Sequence, residues 1–130
     1  MIVYRYKRGD DGTLRPVADV VLAIGTKQVE VSFYIDSGAD ITLIPLQFGR
    51  ALGFKHVPNE IKEIHGVSGA AVPFVERKVK MKFGKVWHFV TIAWALIEDV
   101  PPLLGRRDIF PEFRITFDEA HSRIEFRTLV

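Results

Sequence analysis

The chain has 130 residues, 48% of them hydrophobic, the size of one domain that can bury a core of its own. Eighteen Lys and Arg stand against 16 Asp and Glu, a net charge of +2 with the signs interleaved, an excess too small to indicate nucleic acid as a partner. With no Cys there is no disulfide framework, thiolate metal site or cysteine nucleophile, and a reducing, cytoplasmic location is expected.

Runs rich in Val, Ile, Phe and Thr, separated by short turn sequences, predict a mostly β chain. Strands are expected over 2–6, 14–24 and 28–35, with residues 1–15 forming a hairpin-like N-terminal extension around Gly9-Asp10-Asp11-Gly12. A strand at 41–44 leads to Pro45, which suits the first turn of a short helix; Leu46, Phe48, Ala51 and Leu52 share one face before Gly53 stops it. Strands at 61–67 and 71–83 flank Val67-Ser68-Gly69, and Phe83-Gly84-Lys85 turns the second of them into a strand at 86–95. Between Arg77 and Lys82 basic and apolar residues alternate, as on the solvated face of a half-buried strand. Trp87, Phe89 and Trp94 read as core and partial surface packing rather than as a platform for stacking bases. A short helix at 106–110, ended by Pro111, and strands at 115–117 and 123–126 complete the chain.

No repeat or linker divides the sequence, so 1–130 reads as a single domain. The longest apolar run, 89–97, falls short of the ~20 residues that span a bilayer, and no signal-peptide core heads the chain, so no membrane association is expected. His56, His65, His88 and His121 lack the spacing of a helical metal pair, which argues against a metal site. Ser68 and Ser122 lack the Gly-x-Ser-x-Gly frame of a nucleophile elbow.

The chemistry centres on Asp36-Ser37-Gly38. It closes a buried-type strand, Val29 to Ile35, and Gly38 allows close backbone approach there, so a carboxylate is presented on a tight turn. Peptide hydrolysis by carboxylates takes two of them and the triplet occurs once, which points to a symmetric dimer. Further on, Leu103-Leu104-Gly105-Arg106 is an apolar pair ending in Gly. Between the two lies Ile64 to Ala71, a Gly-containing hairpin tip expected to project as a loop.

In content and order these segments resemble the retropepsin-like aspartic proteases, the single-domain type of retroviruses and their cellular relatives. Tyr34 to Ala39 looks like the active-site loop, His65 to Ala70 like the flap, and Leu103 to Arg106 like the second conserved-order motif, so the resemblance covers nearly the whole chain. It implies a closed β-barrel with one or two short helices, acting as a homodimer in which Asp36 of each subunit activates a water against an extended polypeptide substrate. No cofactor or metal is implied. Ser37, Gly38 and Ala39 would support the loop, with Ser37, in place of the commoner Thr, bonding across the dimer. Asp40 and Arg106 would form a buried ion pair behind the site. Gly66, Val67, Ser68 and Gly69 would be the flap tip, and Tyr34, Leu43, Val67 and Leu103 the pocket walls, favouring hydrophobic residues on either side of the cut. The tail after Arg106 is longer than in viral members and looks more like that of cellular ones, whose subunits meet differently. The competing reading is a non-proteolytic dimerisation or peptide-binding module on the same fold, since a fold does not guarantee its chemistry.

Overall fold

Period-two burial runs through the long strands. On β4 (Val17–Ile24) the side chains of Ala18, Val20 and Leu22 are buried, and on β5 (Lys27–Ile35) those of Val31, Phe33 and Ile35. Apart from Ala18, each such side chain contributes about 1.5–3 kcal/mol when fully removed from water. In a computed structural model that describes residues 1–65 and 70–129, these two strands are followed by β6 (Thr42–Ile44), helix α1 (Leu46–Ala51), β7 (Lys62–His65), β8 (Ala71–Phe83), β9 (Val86–Ala95) and β10 (Leu103–Leu104). They are preceded by β1 (Ile2–Arg5), β2 (Lys7–Arg8) and β3 (Leu14–Arg15), and β11 (Phe113–Asp118) and β12 (Arg123–Thr128) come last.

The sheet order β4-β5-β10-β6-β9-β8 closes on itself because β4 also pairs with β8, Leu22 lying opposite Met81; β7 adds to the far edge of β8. The result is a closed six-stranded barrel in a mostly β chain. Two tight hairpins make this possible: Gly25 between β4 and β5, and Gly84 between β8 and β9, both at positive φ (56° and 63°), which the twist of a two-residue hairpin loop requires. A second sheet, β1-β12-β11, caps one end of the barrel, with Phe126 stacked on Phe83 at 5.5 Å and Phe113 edge-on to both. Helix α1 packs on β9: Gly49 lies against Trp94, whose Nε1 donates to the Leu46 carbonyl at 3.0 Å, and a Cβ at Gly49 would come within 2.0 Å of that ring.

Besides β10, which no sequence-based strand covers, the structure departs from the sequence-based elements at three places. The strand expected over 14–24 is broken at Pro16, which has no N–H for the ladder; its carbonyl accepts instead from Ile35 N at 2.9 Å. The N-terminal extension forms a hairpin only between β2 and β3, while β1 leaves it to pair with β12, Tyr4 packing edge-on to Phe126 at 5.3 Å. No helix spans 106–110. Asp108 adopts φ 63°, a left-handed conformation that stops a right-handed helix, and a 3-10 turn follows over Phe110–Glu112 with Pro111 inside it.

Candidate active site

Asp36 follows directly on the last residue of β5, and its position is fixed from behind by β10. That two-residue strand lies between β5 and β6, parallel to the first (Leu103 beside Tyr34, Leu104 beside Ile35) and antiparallel to the second (Leu103 opposite Leu43). Asp36 N donates to the Leu104 carbonyl at 3.0 Å, and Tyr34 N to that of Pro102 at 2.9 Å. The turn then bonds to itself: Gly38 N donates to Asp36 Oδ1 at 2.9 Å and Ala39 N to the Asp36 carbonyl at 3.2 Å. One carboxylate oxygen is thus oriented by a backbone amide, an Asx-type turn that Asp makes readily.

The segment after β10 clamps the other side of the turn. Arg106 N and Arg107 N donate to the carbonyls of Ala39 and Asp40, both at 2.9 Å, and Gly105 N donates to the buried Thr42 hydroxyl at 3.1 Å. Gly105 is the point of closest approach: a Cβ there would lie 2.5 Å from the Ile41 carbonyl carbon and 2.9 Å from the Ala39 carbonyl oxygen, so only Gly fits. Thr42 was not among the residues singled out from sequence. Its signal was available in principle, since a Thr within a short apolar strand needs a partner for its hydroxyl once buried.

A recess of about 300 Å³ opens beside the turn, lined by Gly38, Ala39, Asp40, Leu43 and Leu103 together with Ile41, Ile64 and His65. Of the residues expected as pocket walls, Leu43 and Leu103 line this recess. Ile64, the half-buried residue between exposed Glu63 and His65 on β7, was missed, although its alternation marks it as inward-facing. Tyr34 lies outside the recess, on the opposite side of β5 from Phe33 and Ile35 and hence on the side from which Asp36 extends. Arg15 sits near it and is held above the usual guanidinium range, chiefly by Asp11 and secondarily by the Tyr34 hydroxyl. Ser37 is exposed at the tip of the turn. Gly66, Val67, Ser68 and Gly69 lie outside the described residues; the strands on either side of them are paired, Lys62 opposite Phe74 and His65 opposite Ala71.

Asp40 and Arg106 do meet, Nη2 to Oδ1 at 2.7 Å, but their side chains are 86% and 56% exposed in the single chain. The pair expected to be buried is thus exposed in the single chain. The turn projects both side chains from the rim of the barrel, and the backbone bonds from Arg106 and Arg107, rather than the ion pair, tie the two motifs together. Among the described residues no group of three His, Cys, Asp or Glu is placed to hold a metal ion. No helix there is long and apolar enough to cross a membrane.

An isolated, backbone-oriented carboxylate on a glycine turn, braced by a Leu-Leu-Gly-Arg segment, is matched by the family described as aspartyl protease, over residues 20–107. The chain belongs to the aspartyl protease family. Among solved structures, this aspartyl protease is similar to a retropepsin-like aspartic protease from Rickettsia conorii, at 16% identity, covering 95% of this chain and 89% of that one, with a TM-score of 0.64. It is also similar to EIAV protease in complex with the inhibitor HBY-793, at 22% identity over 71% of this chain and 82% of that one, with a TM-score of 0.56. At these identities the likeness speaks to the fold, which is that of the retropepsins. No curated protein matches the sequence.

Proposed function

We propose that this aspartyl protease works as a homodimeric endopeptidase whose two Asp36 carboxylates, one from each subunit, share a proton and activate a water between them. The observation that supports this reading is the Asp36 turn itself, a carboxylate that occurs once in the chain on such a turn, held by Gly38 N at 2.9 Å, clamped by β10 and only partly buried. Two carboxylates a few ångströms apart cannot both ionise at low cost, so the pair keeps one proton; the aspartic protease dyad is the standard illustration of this effect. The ionised member takes a proton from the water as it attacks the scissile carbonyl, while the neutral member donates to the carbonyl oxygen, giving a tetrahedral diol with no bond to the enzyme. The dyad then passes a proton to the amide nitrogen and takes one from a diol hydroxyl, the C–N bond breaks, and a carboxylic acid and an amine leave. Ser37, exposed at the tip of the turn, would bond across the twofold axis of that dimer. Leu43 and Leu103 offer an apolar wall to a side chain of an extended peptide substrate.

The test is cleavage of an unstructured polypeptide at mildly acidic pH by purified protein, with Asp36→Asn as the comparison and sedimentation to report the dimer. We expect the variant to remain dimeric and to lose at least about 100-fold in kcat/KM, the lower end of what a positioned acid-base group supplies. A statine-type transition-state analogue should block the wild type. Equal cleavage by Asp36→Asn would overturn the reading, and a wild-type monomer with no cleavage would favour the non-proteolytic module.

A further inference from the structure

Register places the lysines of β8 and the aromatic residues of β9 on one face. Lys78 lies opposite Thr91, Lys80 opposite Phe89 and Lys82 opposite Trp87, so all six side chains leave the same side of the hairpin. The opposite side carries Val79, Met81 and Phe83 into the core. The Lys80 and Lys82 ammonium groups sit 5.7 and 5.6 Å from the Trp87 ring centroid, while the Phe89 ring is 79% exposed. Shallow recesses of about 270 and 300 Å³ flank Phe89, the first bounded by Lys78, Thr91 and Arg107, the second by Ala23, Ile24 and Lys80. Among the described residues Lys78, Lys80 and Lys82 have no ion-pair partner, whereas Glu76, at the cleft end of the face, is already engaged by Lys62 and Arg107. Asp108 is likewise occupied, accepting from Thr91 N at 2.8 Å. In register, Lys82 pairs with Val21 and Val21 with Glu30, so Glu30 lies two strands away from the lysine row.

We propose that this face binds single-stranded nucleic acid, with a base stacked on Phe89 and phosphates on Lys78, Lys80 and Lys82. An exposed ring between two recesses, on a sheet face bordered by lysines without ion-pair partners among the described residues, combines the two elements that grip a single strand: stacking and a cationic track for the backbone. A second copy of the chain fits poorly, because a twofold contact through this face would set lysine against lysine. An acidic peptide would satisfy the charges and leave the Phe89 ring without a planar partner. The small net charge of the chain conceals the feature: the two acids that border the face, Glu76 and Asp108, are each already bonded, and Asp108 lines the first recess beside Arg107.

Fluorescence anisotropy of a labelled oligothymidine of about ten nucleotides, within the usual site size of such surfaces, tests the assignment. Binding is expected to weaken about 20-fold between 50 and 200 mM salt if three phosphates are engaged. Phe89→Ala and Phe89→Leu should both weaken it about 5- to 100-fold, the leucine variant retaining apolar bulk without a stacking face. Lys78→Glu and Lys80→Glu should weaken it further at low salt than at high. Asp36→Asn should bind like the wild type, so failure here and failure of the peptidase reading are separate results. The proposal is overturned by absence of binding at 50 mM salt, by binding indifferent to the Phe89 substitutions, or by a preference for polyglutamate or phosphatidylserine vesicles over the oligonucleotide.

Discussion

The β8–β9 hairpin presents one continuous face whose two ends meet opposite fates. At the cleft end, Phe74 and its neighbours Ala93 and Ala95 are covered by Leu43, Ile64 and Leu103, forming a second small core beneath the recess beside Asp36. At the other end, past Glu76, the same face carries Lys78, Lys80, Lys82, Trp87 and Phe89, and among the described residues no strand returns over it, leaving Phe89 79% exposed. The strands are equally regular at both ends; what differs is whether another segment returns to cover them. A sheet face is therefore not core or surface by its own pattern, because burial is decided by the strands that arrive from elsewhere in the sequence.

Stability measurements can break or sharpen this contrast. The largest effect is expected from Phe74→Ala, which empties the covered end and should cost about 3–5 kcal/mol in denaturant unfolding. Gly105→Ala forces a Cβ onto the Ile41 and Ala39 backbone and should cost about 1–3 kcal/mol, with loss of any Asp36-dependent cleavage, since the clamp behind the turn must shift. Arg106→Ala removes an ion pair exposed at the rim, and thermal unfolding of the single subunit should change by about 1 kcal/mol or less. The smallest effect belongs to the bare end: Phe89→Ala should leave stability within about 0.5 kcal/mol of wild type. If Phe89→Ala destabilised the fold as much as Phe74→Ala, the distinction between the two ends would be lost.

The residues that local pattern governs were legible in the sequence. The β4–β5 and β8–β9 hairpins follow from alternation bounded by a turn glycine, and the Asp36 turn from an acidic residue between an apolar strand and Gly38. What escaped was set by pairing over long distances or by single backbone conformations. Leu103 and Leu104 are too few to announce a strand, and only their insertion between β5 and β6 makes them one. Asp108 at φ 63° interrupts what reads as a helix. Tyr4 and Ile2 are indistinguishable by pattern from residues of a local hairpin, yet they join β12 at the opposite end of the chain. Phe89 reads as packing because apolar residues usually are buried; its exposure depends on the absence of a covering strand, which no local window reports.

The insertion of β10 also sets when the site comes into being. The amide of Asp36 and the carbonyls of Ala39 and Asp40 find their partners in residues 104–107, so the turn stays unbraced until that segment has been made and has threaded between two strands already formed. Closing so long a loop is entropically costly and slow compared with forming the adjacent hairpins. During synthesis from the N-terminus, β4, β5 and β6 emerge well before their brace, and the carboxylate turn is among the last features to be set. A nascent chain shorter than this carries the Asp-Ser-Gly triplet without the geometry that gives it meaning.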